Sequence, residues 1–237
     1  MDEELDEFIE EEVEVNDRPR AMKKPSPADF FQTTYDWLKT IGKVGTSLLF
    51  FAILSILAFS FGNKLIGILG LFYFLSVIIR IPDTYSDVFY FESIATLGFI
   101  LTFITTPYIA IFFTITAEWL TKFISPFGPI EDYQETLSET VAVSAAILLL
   151  SFLIPFTGNM LMHMLYFHGI RFAIFYAILA ITSPAVFLHD LFQGITIVPL
   201  SIIQSYVIIL LLGTWVFGMF GVVDFALPSI TTLFQQF

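Results

Sequence analysis

The feature that most constrains this chain is a series of long apolar stretches that carry almost no charge. Residues 94–117 and 195–223 contain no charged side chain. Only 14% of all residues are charged and 57% are hydrophobic, whereas a soluble domain is about a quarter charged and about half apolar. Because a bilayer core needs roughly 20 consecutive apolar residues per helix, the chain is predicted to be an integral membrane protein.

The apolar stretches predict an all-α fold, a polytopic transmembrane helical bundle of about six spans, with four to six as the range. The predicted spans cover residues 44–61, 65–79, 94–117, 141–157, 160–188 and a run within 195–223. The second stretch is short for a bilayer, so the first two form either two spans or a re-entrant hairpin. Pro107 predicts a kink in the third stretch.

Three regions follow from composition. Ten of the 22 acidic residues lie within residues 1–17, and like charges at that density oppose burial, so residues 1–25 are predicted to be a disordered acidic and basic tail in the cytosol. That tail either docks a cytosolic partner or is simply solvated.

Residues 26–43 begin with Ser26 and Pro27 and place Phe30 and Trp37 on one face, which predicts an amphipathic helix at the membrane interface. Residues 44–237 form the transmembrane domain.

The distribution of basic residues predicts the orientation. Six Lys and Arg precede the first span, and with six spans Arg80 and Arg171 join them on one side. Only Lys64 and Lys122 then lie on the other side. Because basic residues accumulate in cytoplasmic loops, both termini are predicted to be cytoplasmic.

A set of polar residues in the second half of the chain is the first candidate site. His163, His168 and Arg171 lie in one apolar stretch and Gln204 lies in the last. His168 and Arg171 are three residues apart and share a helical face. One interpretation is an intramembrane anion or proton site centred on Arg171, since ionisable residues at membrane depth usually face the protein interior. The other, favoured on sequence grounds, makes residues 160–169 a cytoplasmic connector from which Arg171 snorkels to the headgroups.

An acidic loop is the second candidate site. Asp83 and Asp87 are four residues apart, with Glu92 nearby, and paired carboxylates can hold a divalent cation together with a phosphate. A polar loop is the simpler interpretation, and no metal site is assigned. Common hydrolase, zinc-protease and nucleotide-binding motifs are missing from the sequence, as is cysteine. We therefore expect no catalytic residues, no cofactor and no enzymatic activity, and the lack of a basic stripe excludes nucleic acid as a partner.

Two segments resemble a known family. Residues 26–61, SPADFFQTTYDWLKTIGKVGTSLLFFAILSILAFSF, and residues 128–158, GPIEDYQETLSETVAVSAAILLLSFLIPFTG, are similar in pattern to the Yip family of multi-span membrane proteins. The Asp-Leu-x-Gly-Pro signature of the eukaryotic branch is absent. The resemblance implies a non-enzymatic membrane organiser or adaptor whose partners are the bilayer and other membrane subunits.

A second resemblance implies transport. Glu139-Thr140-Val141, Gly158-Asn159-Met160 with His163, and residues 203–207 (IQSYV) occur in an order similar to subunit a of F-type ATP synthases. That family has an arginine four residues before the asparagine, where this chain has Pro155. The short spans also look like the substrate-binding components of vitamin transporters. The expected function is therefore a membrane organiser or adaptor, with a small-molecule or proton transport subunit as the alternative, and the membrane depth of Arg171 distinguishes them.

Overall fold

The computed structural model describes residues 27–83, 93–124, 133–154 and 159–222. All regular secondary structure within these ranges is helical, which confirms the all-α class. The helices are α1 (Pro27–Ser60), α2 (Lys64–Asp83), α3 (Ser93–Ile104), α4 (Pro107–Ile124), α5 (Tyr133–Leu153), α6 (Met160–Thr182) and α7 (Pro184–Ile208), which continues through a π-helical turn (Ile209–Gly213) into α8 (Thr214–Phe220).

Four helical segments among the described residues are long and apolar enough to cross a bilayer: Ile41–Ser60, Gln134–Leu153, Met160–Thr182 and Ile197–Phe220. Two shorter apolar helices, Lys64–Ile79 and Ser93–Ile104, accompany them. These lengths and compositions are compatible with the predicted multi-pass membrane protein.

The first helix is longer than the sequence predicts. The chain divides into two compact units, Met1–Lys39 and Thr40–Phe237, and within the second unit α1 is helical from Thr40 to Ser60. The boundary expected between residues 43 and 44 is therefore not marked by a break, and a position of residues 26–43 at the membrane interface stays a prediction. Residues 1–25 lie outside the described ranges.

A tight turn joins α1 to α2. Gly62 has φ +76°, a left-handed conformation that glycine adopts without a steric penalty. Asn63 then caps α2, because its Oδ1 accepts a hydrogen bond from the Ile66 N–H at 3.1 Å. Ser55 Oγ donates to the Gly67 carbonyl at 2.8 Å, and Phe51 stacks on Tyr73 at 5.0 Å. These two contacts show that the helices are antiparallel.

The third apolar stretch does not form the single kinked span that the sequence predicts. Helix α3 ends at Ile104, α4 begins at Pro107, and Thr106 accepts the first backbone hydrogen bonds of α4. Proline disfavours helical geometry in the residue before it, which accounts for the break. The chain reverses direction at this break, as the contact between Gly98 of α3 and Thr114 of α4 shows. The stretch is thus a helical hairpin.

Two other sequence predictions need correction. The fifth stretch ends at Thr182 and a new helix starts at Pro184, so residues 160–188 are not one span. Residues 160–169 belong to α6 and form no connector. Asn159 caps α6, since its side chain accepts a hydrogen bond from the Met162 N–H. Such a cap favours a helix start ten residues earlier than the connector interpretation allows.

Side-chain contacts define the two ends of the bundle formed by residues 40–222. At the first end, Lys64 Nζ donates to the Met219 carbonyl at 3.0 Å, and Phe103 packs against His163 and Phe217. The Gly62 turn, the break at residues 105–106, the start of α6 and the end of α8 therefore lie together, and we call this the Gly62 end.

The opposite end is marked by Ser183, whose Oγ donates to Gln134 Oε1 at 2.6 Å. We call it the Ser183 end. The start of the apolar part of α1 at Ile41 lies toward it, about 30 Å from Ser60 at 1.5 Å per residue. Ile41 and Phe220 therefore lie toward opposite ends of the bundle. Both chain termini fall outside the described residues, so their compartment stays a prediction.

Helix α3 is the centre of the core. It has only 12 residues, about 18 Å, and all nine residues from Ser93 to Leu101 are buried. Phe99 packs against Phe167 of α6 at 5.1 Å. A short buried helix of this kind is tolerated at membrane depth because protein, not lipid, surrounds it. It brings a polar residue, Thr96, to the middle of the bundle.

Candidate functional site

Arg171 lies at the midpoint of α6, one of the helices that are long and apolar enough to cross a bilayer. It is the twelfth of 23 residues in α6, about 16 Å from either end. The residue is 1% exposed and is the largest fully buried side chain among the described residues. A cation at this depth is costly and normally requires a partner.

Glu139 of α5 is that partner. Its Oε1 accepts a hydrogen bond from Arg171 Nε at 2.5 Å, and the Glu139 side chain is 11% exposed. Ion pairs in a low-dielectric interior are strong, although removing both ions from water opposes their formation. The pair cancels the charge of Arg171 and ties α5 to α6.

His168 continues the polar contacts away from the ion pair. Arg171 Nη1 lies 3.4 Å from His168 Nδ1. Because a guanidinium only donates hydrogen bonds, Nδ1 must be the unprotonated nitrogen of a neutral ring. Nε2–H then donates to Ser205 Oγ at 2.8 Å. The hydrogen-bond partners thus assign one tautomer to His168.

Ser205 of α7 lies 2.6 Å from Thr96 of α3, measured between the hydroxyl oxygens. The five residues Glu139, Arg171, His168, Ser205 and Thr96 therefore form one hydrogen-bonded series, which we call the polar chain. It connects α5, α6, α7 and α3 inside the bundle. Each of the five is classed as buried.

The chemistry of the polar chain is set by Arg171. A guanidinium does not release its proton in a protein, so Glu139 and His168 cannot exchange a proton through it. Arg171 is instead a positive charge fixed in place from two sides. The hydroxyls of Ser205 and Thr96 can each donate or accept, so that part of the polar chain can reverse its hydrogen bonds.

The structure brings together only part of the predicted polar site. His168 and Arg171 are in contact, and Gln204 directly precedes Ser205 on α7, where it is partly exposed. His163 is buried nearer the Gly62 end of α6, with its ring 5.7 Å from Phe103. The snorkelling interpretation of Arg171 is wrong, because the side chain points into the bundle.

The predicted acidic loop lies largely outside the described residues. Asp83 is the last residue of α2, whereas Asp87 and Glu92 fall between the described ranges. Within those ranges no group of three metal-ligating side chains comes together. The cation interpretation of this loop stays untested.

Sequence reasoning missed Glu139, Ser205 and Thr96 as members of the site. Glu139 had a signal: it is an acid two residues before an apolar stretch, and an arginine elsewhere in an apolar stretch requires such a partner. Ser205 and Thr96 had none, since serine and threonine are common in membrane helices and usually bond their own backbone.

Comparisons of the chain with models of protein families, with curated proteins and with solved structures found no match.

Proposed function

We propose that this protein is a non-enzymatic membrane subunit that moves protons or small solutes across the bilayer, with Arg171 as a fixed charge at the centre of its site. The observation that carries the proposal is the position of Arg171, which lies at mid-helix and is 1% exposed. An organiser or adaptor was expected to keep this arginine at the headgroups.

Stability alone does not account for the ion pair. Well-packed apolar residues of similar volume hold helices together at least as well as a buried ion pair does. Ionisable residues inside a membrane protein generally mark a path for ions or substrate. Thr140, the residue after Glu139 in α5, is buried and its hydroxyl has no hydrogen-bond partner. This unused hydrogen-bonding capacity inside the bundle supports a site with a transient occupant.

The resemblance to subunit a of ATP synthases supports the proton branch of the proposal. The three stretches that carry it contain Glu139, His163 and Gln204, and they lie on α5, α6 and α7. Contacts of Arg171 with Glu139 and of His168 with Ser205 make these helices neighbours. Two of these stretches, the one with Glu139 and the one with Ser205, are therefore linked through Arg171 and His168.

A membrane organiser or adaptor is the second candidate, and one observation favours it. The charge of Arg171 is matched by Glu139, so the pair also serves to fix how α5 and α6 pack. The resemblance to the Yip family supports the same role. In either case the six basic residues before the first span favour a cytoplasmic N-terminus, where the acidic tail can dock a cytosolic partner.

The test compares two serines on one helix. Ser205 and Ser201 of α7 are both fully buried, but Ser205 bonds His168 whereas Ser201 Oγ bonds only the Ile197 carbonyl of its own helix. Vesicles with a pH-sensitive dye and an imposed potassium diffusion potential report proton flux. We expect flux from the wild type and from Ser201→Ala, and a several-fold lower rate from Ser205→Ala.

A second measurement covers function within an assembly. The chain is purified in mild detergent and its partners are identified by mass spectrometry. A rotor ring or an energising ATPase module supports transport. If the purified chain brings no membrane subunit and its vesicles are as tight as protein-free vesicles to protons and small solutes, the transport proposal is wrong and the organiser remains.

A further inference from the structure

We infer that the Ser183 end of the bundle is the surface that meets anionic lipid headgroups at the cytoplasmic leaflet. The Gly62 end, with the hairpin tip between α3 and α4 and the end of α8, then faces the opposite compartment. This inference rests on helix directions and lysine positions, so it is independent of the proposed function.

Three basic residues, one each from α1, α2 and α4, lie toward one end. Lys43 is exposed two residues after the apolar part of α1 begins, Arg80 is in the last turn of α2 and Lys122 is in the last turn of α4. All three positions lie toward the Ser183 end. Trp119, whose ring lies 6.4 Å from that of Phe123, is less than one turn from Lys122, and tryptophan accumulates at membrane interfaces.

The opposite end has one lysine among the described residues, and that lysine has a structural partner. Lys64 Nζ donates to the Met219 carbonyl, one of the last carbonyls of α8, where a cation also complements the helix dipole. Arg171 is paired inside the bundle. Three of the four basic residues of the described bundle outside the polar chain thus lie at the Ser183 end. The acids Glu118 and Glu135 lie toward this end as well, but membrane orientation follows the distribution of Lys and Arg rather than net charge. The Ser183 end is therefore the one that faces the anionic cytoplasmic leaflet.

The helical hairpin is what puts Lys122 at that end. If residues 94–117 crossed the membrane once, Lys122 would lie opposite Lys43, as the sequence predicts. Because α3 and α4 are antiparallel at Gly98 and Thr114, α4 returns toward the Ser183 end. The same reversal leaves the end of α8 opposite Lys43, in contrast to the expectation of two cytoplasmic termini.

Cysteine labelling tests the arrangement directly, since the chain contains no cysteine. Single variants are Phe61→Cys and Thr106→Cys at the Gly62 end and Thr182→Cys at the Ser183 end; all three positions are exposed. A membrane-impermeant maleimide is applied to right-side-out and to inverted vesicles. We expect Phe61→Cys and Thr106→Cys to react from outside and Thr182→Cys to react from the cytoplasmic side.

Two results overturn the inference. Labelling of Thr106→Cys from neither side indicates a single kinked span, and labelling of Thr106→Cys from the same side as Thr182→Cys contradicts the helix directions.

The lipid surface is tested separately in nanodiscs. Adding phosphatidylglycerol to phosphatidylcholine is expected to raise the melting temperature of the wild type. The rise is expected to be lost in the double variant Lys43→Gln/Lys122→Gln and kept in Lys64→Gln, the matched lysine at the other end. Equal responses of the wild type and the double variant contradict an anionic-lipid surface at the Ser183 end.

Discussion

Removal of either ion from the buried pair of Glu139 and Arg171 is predicted to destabilise the fold strongly. Arg171 is 1% exposed and its Nε lies 2.5 Å from Glu139 Oε1, so neither ion is compensated by water once the other is gone. Breaking a buried pair in this way costs roughly 3–5 kcal/mol. Glu139→Leu leaves a cation that cannot lose its proton, whereas Arg171→Met leaves a carboxylate that can take one up. We therefore expect Glu139→Leu to be the more destabilising change.

The double variant Glu139→Leu/Arg171→Met makes the prediction specific. Replacing a buried ion pair by apolar residues of similar volume is often neutral or stabilising. The double variant is therefore expected to lose much less unfolding free energy than the two single variants lose together. The free energy of unfolding is measured in mixed micelles of dodecyl maltoside and sodium dodecyl sulfate. Glu135→Gln, one turn earlier on α5 and partly exposed, is the control and should cost at most about 1 kcal/mol.

Additive losses in the double variant would refute the reasoning, because they would mean that the two side chains do not act as a pair. A Glu139→Leu variant as stable as the wild type would show that Arg171 is hydrated, and the burial argument would fail with it.

Two further predictions concern the helices that surround the polar chain. Gly98→Ala places a methyl group onto Thr114 Oγ1 and should lower the free energy of unfolding by about 1–3 kcal/mol. Adding Thr114→Ala should restore that stability. Gly169→Ala is the control, because a methyl group there meets no atom within 4 Å, and it should leave stability unchanged. Deleting Leu211 from the π-helical turn should be tolerated, because such a turn accommodates one additional residue in an α-helix. Deleting Leu200 from α7 should not be tolerated, because it rotates the following residues by about 100°. The yield of monodisperse protein on size exclusion is the measurement for both deletions.

The class of the protein was predictable because it depends on composition and on the lengths of apolar runs. A run such as 141–157 is apolar whatever it packs against, and the solvent that it requires follows from that property alone. The start of α6 also had a local signal, since Asn159 is a good helix cap. Features that depend on a single stretch of sequence could therefore be predicted from the sequence alone.

The hairpin of α3 and α4 could not be predicted in the same way. Pro107 signals a break, but a kinked span and a full reversal use the same residues. The choice between them depends on whether the two halves can pack against each other, which Gly98 permits by leaving room for Thr114. That contact joins residues 16 positions apart, and no periodicity within the run reveals it.

The depth of Arg171 was mispredicted for a related reason. A lone arginine in an apolar stretch fits two arrangements: the side chain reaches the headgroups, or it finds a counter-ion inside the protein. Local sequence cannot separate them, because the counter-ion, Glu139, lies 32 residues earlier on another helix. The two arrangements differ in what they require of the rest of the chain. Snorkelling requires a helix end nearby, and the structure places the start of α6 at the Asn159 cap, 12 residues from Arg171 or about 18 Å. An arginine side chain is too short to cover that distance, so the helix cap and the arginine have to be considered together to predict an internal partner.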